Sequence, residues 1–314
     1  MADRTKHLSV VVPCYNEEAT IELFLAETQK YESQLADRLI FDYIFVNDGS
    51  NDKTLEVLRQ ISAKWDNVHF ISFSRNFGKE SALLAGLDYA SGDYVTVMDA
   101  DLQDPPELLG AMYQKILEGY DIVGTRRKNR EGEPLIRTFF AKQFYKIINA
   151  VSETKIVDGA RDFRLMTRQV VDSILEMGEV NRFSKGIFAW VGFDTYYIAF
   201  DNRERVAGAT SWNFWQLVRY SLEGFINFSE AMLSIATYSG LMSFVASLLG
   251  ILFVIVRKLT VGGSVDGWAS MIVVILFIGG LQLFCLGILG KYVAKIFLET
   301  KKRPVYIIKE TDLK

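Results

Sequence analysis

Cysteine and histidine are almost missing from this chain, with two of each among 314 residues. Cys14 and Cys285 lie far apart in unlike surroundings, which excludes a disulfide scaffold in practice, and His7 and His69 are too few for a Cys/His zinc site. A formal charge of −3 leaves no basic excess, so nothing in the overall balance points to nucleic acid. Residues Met1 to His7 are charged and lead straight into a strand-like run, which predicts no cleavable signal peptide. Two familiar phosphate loops are also lacking. No G-x-G-x-x-G follows the first strand-like run, which argues against a dinucleotide-binding oxidoreductase. Gly78-Lys79-Glu80-Ser81 has neither the leading glycine nor the Lys-Ser/Thr adjacency of an ATPase loop.

Charge is missing from two long stretches, Ala231 to Val256 and Gly267 to Gly290. Each exceeds the roughly 20 apolar residues needed to cross a bilayer core, whereas buried helices of soluble proteins are usually shorter. With only a short connector at 257–267, they read as a transmembrane hairpin (231–256 and 268–290) that returns the chain to its starting side. Lys291, Lys295, Lys301, Lys302 and Arg303 follow the second span and outnumber Arg257 and Lys258 in the connector. The positive-inside rule then predicts a cytoplasmic tail at 291–314 and a cytoplasmic N-terminal region in a multi-pass cell-membrane protein.

Before the membrane, strand-like and helix-like runs alternate. Leu8–Pro13, Tyr43–Val46, Val68–Phe73, Tyr94–Met98 and Ile122–Gly124 read as strands, separated by helical spacing over 19–31, 55–64, 80–90 and 106–118. Such alternation predicts an α/β domain over 1–210, with a mostly parallel sheet covered by helices on both faces. Polar residues gather after successive strands: Asn16-Glu17-Glu18, Asn47-Asp48-Gly49-Ser50, and Asp99 to Gln103. Open α/β sheets bind ligands at that carboxyl edge. Asp99 and Asp101, one residue apart on an extended or turning backbone, can face one hard cation such as Mg2+ or Mn2+. The plainer alternative is an acidic helix start capped by Asp104. Three polar clusters at one edge favour a nucleotide-diphosphate site instead, in which amides and carboxylates bind ribose and base while the metal neutralises the diphosphate.

Val11-Val12-Pro13-Cys14-Tyr15-Asn16-Glu17-Glu18, Val46-Asn47-Asp48-Gly49-Ser50-Asn51-Asp52 and Asp99-Ala100-Asp101-Leu102-Gln103-Asp104-Pro105-Pro106 closely resemble the family 2 glycosyltransferases of GT-A fold. The last motif is similar to the branch that transfers a sugar to a polyprenyl phosphate, which includes dolichol-phosphate mannose synthases and bactoprenol glucosyltransferases. The resemblance runs from about Leu8 to Trp212, and the two spans match the bacterial type. It implies that Pro13, Tyr15, Glu17, Asp48, Asn76, Lys79 and Asp99 surround the nucleotide, with Asp99, Asp101 and Gln103 at the metal. It also implies that the segment from Asp158 to Leu165 lines the sugar and acceptor phosphate, and that Arg203 to Trp212 is the basic loop closing the domain. Relatives usually carry a lysine where this chain has Ser211, so a phosphate contact expected there must come from Arg203, Arg205 or elsewhere, or be missing.

A polyprenyl phosphate is already anionic near neutral pH, so it needs charge compensation more than a strong base. Arg126, Arg161, Arg164, Arg203 and Arg205 are the expected contacts, with Arg127 and Arg182 as further candidates. Asp158 or Asp162 could orient the acceptor or take a proton, and each could equally hold an arginine in an ion pair. Together with Arg205 they are the expected catalytic residues. Aromatic residues recur at helical spacing beside basic ones at 139–148 and again at 211–230. Both stretches fit helices lying in a membrane interface. The first could equally pack on the soluble core or a neighbouring copy, so a homo-oligomer is compatible with the sequence.

The function expected is inverting, metal-dependent transfer of a hexose to a polyprenyl phosphate, with UDP-glucose the donor the resemblance favours. A processive polysaccharide synthase would show more spans and a Gln-x-x-Arg-Trp motif, and Asn181-Arg182-Phe183 is only distantly like one. A non-catalytic nucleotide-binding scaffold would not need the carboxylates and arginines together.

Overall fold

The computed structural model describes residues 5–128, 149, 157, 159–201, 231–261 and 267–313. Its described strands form one eight-stranded sheet in the order β7-β5-β6-β4-β1-β2-β3-β8. These are β1 (Lys6–Cys14), β2 (Leu39–Asn47), β3 (Val68–Phe73), β4 (Tyr94–Val97), β5 (Ile122–Arg127), β6 (Ala160–Thr167), β7 (Thr195–Phe200) and β8 (Ile308–Thr311). The helices are α1 (Ile21–Leu35), α2 (Thr54–Lys64), α3 (Lys79–Tyr89), α4 (Leu108–Leu117), α5 (Arg168–Leu175), α6 (Ser184–Trp190), α7 (Ala231–Val261) and α8 (Trp268–Thr300).

Period-2 patterning splits the residues of β1 between two apolar layers. Leu8, Val10 and Val12 join α1, α2 and α4 in one cluster, and Val11 joins α3, α5 and α6 in the other. The helices present matching stripes: Ile21, Phe24, Leu25 and Thr28 on α1, and Leu109, Met112, Tyr113 and Ile116 on α4, are buried at i, i+3, i+4 and i+7 spacing. Helix α3 is different because Ala82, Ala85 and Gly86 let its backbone close on the sheet. A Cβ at Gly86 would sit 2.1 Å from a Val11 methyl carbon.

The expected alternation up to β5 is present, with its elements longer or shifted by a few residues at their ends. Parallel pairings join β1 to β2 and β4, β2 to β3, and β5 to β7. The later chain is less regular. β6 inserts antiparallel between β4 and β5, and β8 adds antiparallel to the outer edge of β3.

Strand β8 comes from the tail beyond the membrane helices, so the sheet is completed by residues more than two hundred positions from its first strand. The Tyr306 ring stacks on Phe73 at 5.2 Å, Arg59 makes a two-pronged ion pair with Glu310, and the Asp312 carboxylate accepts the Phe70 N–H at 2.7 Å. A chain cut before the membrane segment would therefore lack the strand that covers β3.

Two stretches are long and apolar enough to cross a membrane, Leu233–Arg257 in α7 and Val274–Thr300 in α8. Most of their described apolar side chains are exposed: Leu249 is 62% exposed and Leu276 69%. Both helices extend past the expected limits, to Val261 and Thr300. Ser239 Oγ and Cys285 Sγ meet at 3.7 Å between them, as a helical hairpin requires.

Overpacking by one methyl typically costs about 1–3 kcal/mol. Gly86→Ala is therefore expected to lower the melting temperature of the detergent-solubilised protein, whereas Gly110→Ala, whose nearest neighbour would lie at 3.9 Å, should leave it unchanged or higher. Equal effects at the two sites would contradict the close approach of α3 to β1.

Candidate active site

Strands β1, β2 and β4 deliver their polar ends to one edge, and loop-to-loop hydrogen bonds lock them together. The turn after β1 passes through Asn16, whose φ of +56° suits asparagine. Asn16 N–H donates to Ser50 Oγ at 2.9 Å, Glu17 N–H to Thr54 Oγ1 at 2.9 Å, and Asn51 N–H to the Asn16 side-chain oxygen at 2.9 Å. Glu17 accepts the Thr20 hydroxyl at 2.6 Å. Pro13 is half-buried, with Tyr15 exposed beside it. Asp48 is buried, and its two oxygens accept the backbone N–H groups of Phe77 and Gly78 at 2.6 and 2.9 Å. Burial raises its pKa, while those two donors pull it down. Asp48 thus holds the loop that carries exposed Asn76 and Lys79. Gly49 is required in the same turn, at φ +63° with the Arg75 carbonyl carbon 2.3 Å from where a Cβ would stand.

The centre of charge lies where β4 ends beside β6. Lys79 Nζ bridges Asp99 Oδ1 at 2.6 Å and Asp162 Oδ2 at 2.7 Å. Arg161 lies next to it, with Nε donating to Asp104 Oδ1 at 2.8 Å and Nη2 at 4.0 Å from Asp99 Oδ2. Burial works against the Lys79 charge, yet Asp162 and Asp99 hold its pKa above the ordinary value. Burial likewise opposes the Asp162 charge, but Lys79, Lys185 and Arg164 keep that carboxyl well below the usual range. Asp104 is fully buried, and desolvation pushes its pKa up to about 6 against the pull of Arg161. Asp104 Oδ2 and Arg161 Nη2 are buried without a hydrogen-bond partner.

Asp101 is buried and accepts the Gln103 N–H at 3.1 Å, which closes the turn that Leu102 enters at φ +56°. Gln103 in turn accepts a long contact of 3.5 Å from Arg127. Among the described residues no three His, Cys, Asp or Glu side chains converge as a ready-made metal cage. Mg2+ and Mn2+ do not need one, since one or two carboxylates plus substrate phosphates suffice. Asp99 and Asp101 at the edge, with the unpartnered Asp104 Oδ2 near them, offer the carboxylate oxygens that such a cation takes, and the unpartnered Arg161 Nη2 offers a donor to a phosphate oxygen.

The expected arginines separate. Arg161 belongs to the charged centre, and Arg126 is exposed on β5. Arg164 is 3% exposed, donates to the carbonyls of Arg161 and Asp162, and lies 3.6 Å from the Phe188 ring centroid, so its guanidinium is engaged inside the domain. Asp158, Arg203 and Arg205 lie outside the described residues, as do Ser211 and the aromatic stretches at 139–148 and 211–230. Sequence reasoning passed over two residues. Asp104, read only as a helix cap, anchors Arg161. Glu80 accepts both the N–H (2.9 Å) and hydroxyl of Ser184 and so ties α3 to α6. Only its place next to Lys79 could have signalled Glu80.

Carboxylates, amides and paired cations thus gather at one edge of an α/β sheet whose chain runs on into two apolar helices of membrane-crossing length. Residues 9–175 match glycosyl transferase family 2, and the chain belongs to that family. An uncharacterized glycosyltransferase of Synechocystis is 44% identical over 98% of this chain and 96% of its own. The bactoprenol glucosyl transferase of Shigella phage SfX is 41% identical over 96% and 98%, and a prophage bactoprenol glucosyl transferase homolog of Escherichia coli 40% identical over the same shares. Among solved structures, glucosyl-3-phosphoglycerate synthase of Mycobacterium tuberculosis, with Mn2+, UDP-glucose and phosphoglyceric acid, is 21% identical over 69% of this chain and 76% of its own, with a TM-score of 0.44. The protein is a glycosyltransferase.

If Lys79 neutralises Asp99 and Asp162 together, Lys79→Met should destabilise the protein. The cost is about 1–2 kcal/mol, less than for a sealed pair because the lysine side chain is 39% exposed. Adding Asp162→Asn should recover most of that loss. A thermal-unfolding double-mutant cycle checks it, and strictly additive effects would show no coupling.

Proposed function

We propose that the enzyme transfers glucose from UDP-glucose to a polyprenyl phosphate at the cytoplasmic face of the cell membrane, with inversion at the anomeric carbon. The observation that carries this reading is the joining of the carboxylate edge to an apolar hairpin within one chain. Full-length relatives at 40–41% identity named bactoprenol glucosyl transferase support the acceptor and the sugar. The nucleotide lies along the loops of Pro13, Tyr15, Glu17, Asp48 and Asn76. Asp99 and Asp101, with Gln103 beside them, would hold a divalent cation, which would supply Lewis-acid neutralisation of the departing diphosphate.

The chain's own groups do the rest. Lys79 and Arg161 balance charge beside the diphosphate. The acceptor phosphate, already anionic, is held by Arg161, Arg126, Arg203 and Arg205 through charge-assisted hydrogen bonds. Asp162, kept ionised by its cationic neighbours, orients those cations, and Asp158 is the remaining carboxylate available to the acceptor. Binding both substrates in line makes the transfer effectively unimolecular. The described pairing of Asp162 with Lys79 favours the orienting role for Asp162 over that of a proton acceptor.

Radiolabelled UDP-glucose with undecaprenyl phosphate and Mg2+ or Mn2+ should yield labelled lipid. EDTA or Asp101→Asn should abolish the label, with the melting temperature of the variant unchanged. Full transfer in excess EDTA would remove the metal from the mechanism. Label from another nucleotide sugar alone would replace the donor, and a growing polymer in place of a lipid monoglycoside would replace the whole reading.

A further inference from the structure

Helix α8 does not stop at the membrane. Its uncharged run ends at Gly290, yet the helix continues to Thr300. At 1.5 Å per residue, Glu299 stands about 13 Å along the axis beyond Gly290. There its carboxylate accepts the Val180 N–H at 3.0 and 3.1 Å and the Asn181 N–H at 3.2 Å. This is a long-range contact between a membrane helix and a catalytic-domain loop, made to backbone groups that any side chain at 180 and 181 would present.

That loop is itself well anchored. The Arg182 guanidinium donates to the Met177 and Ile174 carbonyls at the end of α5. Phe183 is buried, and Ser184 binds Glu80 through both its N–H and its hydroxyl. Glu80 is the chain neighbour of Lys79, which bridges Asp99 and Asp162. Beyond Glu299 the chain turns at Lys302, with φ +46°, and runs on to β8, which clips it to β3. The membrane helix is thus fastened to the catalytic domain at two separate places, and one of them leads in four residues to the wall behind Lys79.

We propose that Glu299 is a positioning residue: it fixes the stalk of the second membrane helix to loop 177–183 and so sets where a membrane-held acceptor phosphate meets the Lys79–Asp99–Asp162 centre. The proposal rests on the lipid-acceptor reading above. A tie of this kind matters for an acceptor whose own position is set by the bilayer. It does not matter for a short acceptor that reaches the site through water.

The test uses the full-length protein in vesicles of phosphatidylethanolamine and phosphatidylglycerol, as wild type, Glu299→Ala and Glu299→Gln. Two quantities are read: hydrogen exchange of the amides at 180 and 181, and transfer from UDP-glucose to undecaprenyl phosphate and to a short, soluble prenyl phosphate. Losing hydrogen bonds to a charged acceptor is expected to speed exchange at 180–181 by about tenfold in Glu299→Ala and to lower kcat/KM for the long acceptor by about the same factor. KM for UDP-glucose and turnover of the short acceptor should stay at wild-type values. Glu299→Gln, which keeps one acceptor oxygen, should fall between the two. Unchanged exchange, or equal losses with both acceptors, would overturn the proposal. A wild type that uses neither prenyl phosphate would overturn the functional reading instead, and the exchange data would still decide whether Glu299 holds the loop.

Discussion

Charge balance at the end of β4 constrains the rest of the domain. Asp99, Asp104 and Asp162 share a largely enclosed region with Lys79 and Arg161, and Lys185 and Arg164 act on Asp162 from nearby. Desolvation falls hardest on the most buried of these carboxylates, Asp104, whose pKa rises to about 6 against the pull of Arg161. A divalent cation beside Asp99 and the diphosphate of a nucleotide sugar carry charges of opposite sign and similar size, so together they leave the charge balance of the centre as it stands. Donor and metal therefore suit the centre as a pair better than either does alone.

That centre exists because of topology. Asp99 follows a strand of the parallel half of the sheet, whereas Arg161 and Asp162 sit on β6, which runs antiparallel beside it. Lys79 arrives from the start of α3, behind Gly78 at φ +98° and the Asp48 hydrogen bonds to 77 and 78. The Asp48 carboxylate is spent on those two backbone donors and holds the loop in place. Only the packing of α3 against β1 through Gly86 brings that helix start close enough.

Much of this was legible in the sequence. The strands and helices up to β5 followed hydrophobic periodicity because each has one apolar face or is buried outright. The carboxyl-edge clusters stood out because polar residues after buried strands are few. Of the three strands not expected, β7 carries no charge and lies beyond the alternating run, whereas β6 and β8 share one physical reason. β6 carries Arg161, Asp162 and Arg164 among its apolar residues and so does not read as a central strand; its charges are tolerated there because each has a partner on another element or on a backbone carbonyl. β8, four residues long with Lys309 and Glu310, has the charged, short character of an edge strand, and its pairing with β3 depends on a chain that has first passed through two membrane-length helices.

The return of the tail alters how the hairpin should be understood. A tether that only concentrates an enzyme near its acceptor needs no fixed geometry, since effective concentration depends on reach alone. Here the second helix ends in a carboxylate bound to two backbone amides, and the chain after it becomes part of the catalytic sheet. The hairpin and the sheet therefore share a stability. Loosening β8 bares the β3 edge, and loosening loop 177–183 disturbs the backing of Lys79 through Ser184 and Glu80. On the lipid-acceptor reading proposed above, an acceptor phosphate at the bilayer surface meets the site at one height, and a helix continuous to Thr300 and tied at Glu299 keeps that height constant where a flexible linker would not.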